Sequence, residues 1–246
     1  LRMVYDNIFT YNNTWNAKHN LEAMAGTSAT TSRWENLYGS RSHFSPDYNN
    51  VIFGLNGGNK GGLRGQSQGF SEWAIMSYLG RVAYNYDSKY YVTVNFRADG
   101  SSKLAPGNRW GYFPSAAIAW RISKEPWMRR FKNIDDAKLS LSYGQTGNNR
   151  VGDFVAYQTM TVNDWYSFNN GTPGSVVTPN TFGNKDLTWE TTTQIDLGYE
   201  MSMFNNKLKF RLALYRKITD DLLLNAKVPY PSGYTTAYKN IGKISN

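Results

Sequence analysis

Along most of this chain, apolar and polar residues alternate one for one. A period of two is the signature of a β-strand with two chemically different faces. The cleanest case follows the turn at Asp87-Ser88-Lys89. There Tyr90, Val92, Val94, Phe96 and Ala98 point one way, and Thr93, Asn95, Arg97 and Asp99 point the other. The segment before it, Ala74 to Asn85, sets Met76, Tyr78, Val82 and Tyr84 against Ser77, Arg81 and Asn85, although Trp73, Ile75 and Leu79 fall on the second side. Tyr112 to Ile122 places Ile118 and Trp120 opposite Ser115 and Arg121. Ala137, Leu139, Leu141 and Tyr143 oppose Lys138, Ser140 and Ser142. Further on, Ile195, Leu197 and Tyr199 oppose Gln194, Asp196 and Glu200. After a turn at Asn205-Asn206, Leu208, Phe210, Leu212 and Leu214 oppose Lys209 and Arg211. With an earlier strand from about Ala17 to Ser32 and a partial one near Met3 to Tyr11, the pattern predicts an all-β fold of eight or nine strands.

The connections differ in length in a regular way. Tight breaks fall near Asn13-Thr14, at Asp87-Ser88-Lys89 and from Phe204 to Lys207. Between them run long polar stretches: Arg33 to Gln68, Gly100 to Arg109, Gln145 to Thr188 and Ala226 to Tyr238. Lys124 to Asp136 is the exception, longer than its neighbours at the short-turn end and read as holding a single helical turn. Short turns at one end and long loops at the other fit an antiparallel up-and-down transmembrane β-barrel. Aromatics agree: Tyr84, Tyr86, Tyr90 and Trp120 lie near short turns, and Trp110, Tyr112, Tyr143 and Trp189 near long loops, as two interfacial girdles would require. Two alternatives stay open on pattern alone. One is a secreted soluble β-sandwich acting as a carbohydrate-binding or adhesion module, whose strands also alternate. The other is a passive porin.

Composition removes other classes. With no cysteine, disulfides, thiolate metal sites and a catalytic thiol are excluded. His19 and His43 are the two histidines, too few for a His-rich metal site, and no cofactor motif is present. No run of about 18 apolar residues exists, which excludes a transmembrane helix but not strands of about 10 alternating residues. The net charge of +9 is spread thinly. Its densest patch, Arg129-Arg130 with Lys132, reads as a solvated loop, and nucleic acid is not expected as a partner. The cluster Gly54-Leu55-Asn56-Gly57-Gly58-Asn59-Lys60-Gly61 lacks the Gly-Lys-Ser/Thr ending of a phosphate loop. Asp196 and Glu200 share a face but stand roughly 13 Å apart along a strand, too far for a glycosidase pair. An enzyme is not expected.

Six blocks in order resemble the SusC/RagA family of TonB-dependent outer-membrane transporters from Bacteroidetes. They are Ser77-Tyr78-Leu79-Gly80-Arg81 through Phe96-Arg97-Ala98-Asp99-Gly100-Ser101-Ser102-Lys103; Trp110-Gly111-Tyr112-Phe113-Pro114-Ser115; Leu139-Ser140-Leu141-Ser142-Tyr143-Gly144-Gln145-Thr146-Gly147-Asn148; Leu187-Thr188-Trp189-Glu190 with Thr193-Gln194-Ile195-Asp196-Leu197-Gly198; Tyr215-Arg216-Lys217 through Asp221-Leu222-Leu223-Leu224; and Asn240-Ile241-Gly242. They cover the chain from about residue 70 onward, with a looser match before it.

The resemblance implies that residues 1–246 are part of a larger barrel in a Gram-negative outer membrane, with the plug, the TonB box and the remaining strands elsewhere in a longer protein. It also implies nutrient uptake, of oligosaccharides or peptides, driven through TonB and assisted by a SusD-like surface lipoprotein. In such a wall, Arg81, Asn95, Arg97, Asp99, Arg121, Lys138, Gln194, Asp196, Glu200, Lys209 and Arg211 are expected to face the lumen. Tyr78, Val82, Tyr90, Val92, Val94, Phe96, Ile118, Trp120, Leu139, Leu141, Ile195, Leu197, Leu212 and Leu214 are expected to face outer-membrane lipids. Arg97 and Asp99 are candidates for bonds to plug backbone. The loop aromatics Tyr38, Phe44, Tyr48, Tyr166 and Phe168 are candidates to stack on sugars or a partner.

Overall fold

The computed structural model describes residues 1–41, 64–168 and 172–246. Nine strands form one antiparallel sheet: β1 (Arg2–Trp15), β2 (His19–Arg41), β3 (Arg64–Tyr86), β4 (Tyr90–Ser101), β5 (Trp110–Arg121), β6 (Ile134–Asn148), β9 (Glu190–Met203), β10 (Leu208–Asp220) and β13 (Lys243–Ser245). Two hairpins lie outside this sheet, β7 (Met160–Phe168) with β8 (Thr172–Pro179), and β11 (Leu223–Lys227) with β12 (Thr236–Asn240). Spatial order follows chain order wherever the hairpins do not intervene, so the sheet is an up-and-down meander. Among the described residues it stays open, with β1 and β13 at its edges.

Three of the connections at one end are tight. They use left-handed backbone at Asn16 and Ala17, at Asp87 and Ser88, and at Phe204, Asn205 and Asn206. Paired positive-φ residues match the right-handed twist of the strands they join. The Asn85 side chain accepts a hydrogen bond from the Ser88 backbone N–H at 2.9 Å and helps close the second turn.

Several boundaries differ from those read in the sequence. β1 runs through Asn13 and Thr14 to Trp15, so the expected break moves to residues 16–18. Polar residues there do not end the strand, because pairing with Leu21 and Asn20 satisfies the backbone whatever the side chains are. For the same reason β2 and β3 reach far into the stretch expected as a loop, pairing up to Arg41 with Arg64. β5 stops at Arg121, and Ile122 enters a 3-10 turn, Ile122–Lys124, followed by a second at Pro126–Arg130, where one turn was expected. The long connections after β6 and β10 contain the β7–β8 and β11–β12 hairpins, raising the strand count to thirteen among the described residues. Their strands are short, and the alternation they carry is too brief to stand out.

The core is small and sits at the long-loop end. Leu104 and Leu187 are fully buried against Phe113 and Trp189, with Val155, Leu223 and Tyr238 packed around them. Trp189, expected at a lipid interface, is buried instead. Its indole meets the Phe113 ring edge-on at 5.5 Å and donates Nε1–H to the Arg109 carbonyl at 2.8 Å.

Candidate functional site

The functional feature of this chain is the sheet itself, a wall with two unlike sides. In an antiparallel ladder, directly paired residues share a face. One row reads Tyr84, Val92, Ile118, Leu141, Leu197 and Leu214 across six strands. The row below it reads Tyr86, Tyr90, Trp120, Leu139, Tyr199 and Leu212. Rows above carry Val82 with Val94 and Ala116, then Phe96 with Pro114, then Tyr78 with Ala98 and Tyr112. The fourteen residues read as lipid-facing candidates share this one face. They are not packed under a second layer: Val94 is 49% exposed, Ile118 53% and Leu214 55%. Aromatics concentrate at its two limits. Tyr78 stacks on Trp110 at 5.8 Å at one end, and Tyr86 stacks on Tyr90 at 6.4 Å at the other.

The eleven residues read as lumen-facing candidates share the opposite face. Its rows run Arg81, Asn95, Ser115, Gly144 and Gln194, then Ala83, Thr93, Ala117, Ser142 and Asp196, then Arg121, Lys138, Glu200 and Arg211. Several of these groups engage one another, within a strand or across two. Arg121 grips Asp136 with two bonds, 2.8 and 3.1 Å, and Ser123 donates to the same carboxylate at 2.5 Å. Arg211 pairs with Glu200 at 2.7 Å. Asp196 accepts from Gln194 at 2.7 Å and Ser142 at 3.2 Å. Asn95 donates to Ser115 at 3.0 Å, and the Lys138 ammonium lies 5.7 Å over the Tyr91 ring. Arg97 holds Asp99 by two bonds, 2.8 and 3.3 Å, and reaches Ser77 at 3.4 Å. The two candidates for bonds to plug backbone are thus paired with each other on this face.

Two open polar depressions mark this side. One, about 400 Å³, gathers Asn12, Asn20, Glu22, Arg81, Tyr91 and Thr93; the other, about 390 Å³, gathers Asp136, Glu200, Ser202, Lys209 and Arg211. The loops fold over the same side at the long-loop end. Lys103 bonds the Val151 carbonyl at 2.9 Å and pairs with Asp153 at 3.2 Å, Asn149 bonds Ser101 at 2.8 Å, and Asn240 ties Thr188 at 2.9 Å. Sequence reasoning missed this loop layer, whose parts are up to 80 residues apart along the chain. Its signal was present in Leu187, Trp189 and Leu104, apolar residues stranded in polar stretches.

At the short-turn end, Glu125 accepts from the Tyr90 hydroxyl at 2.6 Å and from Trp120 Nε1 at 3.1 Å, with Lys89 3.9 Å away. The Tyr90 bond above all, then the indole bond, holds the Glu125 carboxyl below its ordinary range. Among the described residues no group of three or more His, Asp and Glu side chains is placed to hold a metal ion. Of the loop aromatics, Tyr38 is 59% exposed on β2. Phe44, Tyr48, His43 and the Gly54–Gly61 cluster lie outside the described residues, as do the side chains of Tyr166 and Phe168.

The family model described as TonB dependent receptor-like, beta-barrel matches residues 3–246. The chain belongs to that family. Its receptor relatives include TonB-dependent receptor P39 of Formosa agariphila, 35% identical over 243 residues, which cover 98% of this chain and 22% of the relative. TonB-dependent receptor SusC of Bacteroides thetaiotaomicron is 34% identical over 188 residues, 75% of this chain and 19% of SusC. Among solved structures, the RagAB peptide transporter superposes with a TM-score of 0.86 at 25% identity, over 99% of this chain and 26% of that one. This receptor-family chain therefore spans about a quarter or less of the proteins it matches.

Proposed function

We propose that residues 1–246 form part of the barrel wall of a SusC/RagA-type importer in the outer membrane of a Gram-negative bacterium. The barrel is completed by further strands of a longer protein, which pair the open edges at β1 and β13. Unpaired backbone in hydrocarbon costs several kcal/mol per group, so such edges need partners. The importer takes up oligosaccharides or peptides, with the likeness to a peptide transporter favouring peptides. Energy arrives through TonB, and a SusD-like lipoprotein works over the long loops. The chain transports rather than catalyses.

One observation carries this reading: the apolar rows are exposed along one face while charged rows line the other. From Tyr78 to Tyr86 the apolar side of β3 covers eight steps of about 3.3 Å, or about 26 Å. Tilted by about 40°, that is about 20 Å of height, close to the ~25 Å band of such barrels. A β-sandwich would instead cover these rows with a second sheet.

Residues 1–246 hold no cysteine, so within this stretch each introduced thiol is the sole site for a label. Single substitutions Val92→Cys, Thr93→Cys, Val94→Cys and Asn95→Cys in the full-length protein, in liposomes, carry nitroxide labels whose collisions with oxygen and with a water-soluble relaxer are measured. Positions 92 and 94 should favour oxygen, and 93 and 95 the aqueous relaxer. Labels at 92 and 94 shielded from both reagents would reveal a dry interior and end the proposal.

A further inference from the structure

The connection between β5 and β6 crosses from one side of the wall to the other. Ser123 bonds Asp136 on the polar side. Two residues later Glu125 hangs from Tyr90 and Trp120, in the row that ends the apolar side. The 3-10 turn Pro126–Arg130 starts directly from that anchor, with Glu125 as its N-cap and Met128 buried. Trp127 and Phe131 are 55% and 52% exposed there. Lys124, Arg129, Arg130 and Lys132 are exposed with them, and no ion pair joins any of these cations to a described carboxylate. Beside the anchoring row the apolar face is dented. A depression of about 380 Å³ is lined by Tyr90, Ile118, Trp120, Leu139, Leu141 and Leu197. The turn is also longer than closure requires: residues 122–133 join β5 to β6, whereas three or four residues close the other three connections at this end.

We propose that this turn and the dent beside it bind one anionic phospholipid of the leaflet at the short-turn end. The site rests on the barrel-wall reading. Arg129, Arg130 and Lys132 take the headgroup phosphate, for which guanidinium groups are well shaped. Trp127 and Phe131 occupy the interfacial level, where aromatic rings are favoured. An acyl chain lies in the dent, whose lining is almost wholly apolar. The excess of positive charge selects an anionic headgroup over a zwitterionic one, because basic clusters at a membrane surface gain attraction with each added cation. Glu125 is occupied by Tyr90 and Trp120 and fixes the turn against the groove.

The test uses the full-length receptor, purified in detergent and examined by native mass spectrometry with phosphatidylglycerol or phosphatidylcholine added. Phosphatidylglycerol should be retained in preference to phosphatidylcholine. The triple variant R129A/R130A/K132A should lower its retention roughly tenfold and that of phosphatidylcholine by less, so that the preference between the two shrinks. Leu141→Trp, which fills the dent without altering charge, should also reduce retention. Equal retention of both lipids, or phosphatidylglycerol binding untouched by the triple variant, overturns the site. An acidic protein covering the turn would give that second result. A receptor that stays monodisperse without detergent would instead refute the barrel wall, so the two failures are distinct.

Discussion

The Phe113 ring lies over Gly147, filling the space a side chain there would need. The same ring covers Gly111 on its own strand. Two glycines thus leave room for the tip of one aromatic on the polar face of β5, whose ring meets Trp189 in a T-shaped contact and joins the loop layer to the sheet.

Gly147→Ala should therefore destabilise the full-length protein by about 1–3 kcal/mol through overpacking. Phe113→Ala, which empties the centre of the cluster, should cost about 3–5 kcal/mol. The double variant should fall short of the sum, because the alanine at 147 then has room. Thermal unfolding in detergent measures all three; strict additivity would mean that the ring and the glycine are not in contact.

Neighbouring positions on β4 should respond oppositely to charge. Val94→Arg puts a guanidinium in the apolar rows and should cost about 2–4 kcal/mol if that face meets mid-membrane. Thr93→Arg joins a face that already carries Arg81, Asp196 and Lys138 and should be far milder. A folding titration of the full-length protein separates them, and equal costs would count against the assignment of faces.

The Glu125 carboxyl, held low chiefly by the Tyr90 hydroxyl and then by the Trp120 indole, has a defined pH signature. A folded-state pKa below the unfolded one contributes stability that is fully present above the unfolded value. That contribution fades as pH falls through the depressed folded one. The turn should thus loosen only on the acid side of the ordinary carboxylate range, and Glu125→Gln should remove that acid dependence. Trp120 fluorescence followed from neutral to acid pH reads it; identical profiles in both proteins would show that Glu125 does not anchor the turn.

Among the cross-strand ion pairs, Arg121 with Asp136 has the best geometry, two bonds plus the Ser123 hydroxyl. Both partners keep about a third of their surface in contact with solvent. A double-mutant cycle with Arg121→Met and Asp136→Asn should accordingly give a coupling of about 0.5–1 kcal/mol, shrinking with added salt. A coupling near zero would class the pair with ordinary surface contacts.

The sequence by itself determined the sheet strands between Ala74 and Leu214, though not the β7–β8 hairpin among them, and which side chains share a face, because pleating sends neighbours to opposite sides whatever surrounds them. Val92, Val94, Arg97 and Asp99 were readable from spacing alone. The tight turns at Asp87-Ser88 and Asn205-Asn206 were readable from residue type. Where strands end was decided only by pairing: Asn13 and Thr14 stay in β1, and β2 runs to Arg41, because a neighbouring backbone satisfies their polar groups. Tertiary structure alone decided the fate of Trp189, Phe113 and Gly147. Their contact joins segments distant along the chain, and no local period records which aromatic will find a glycine to cover.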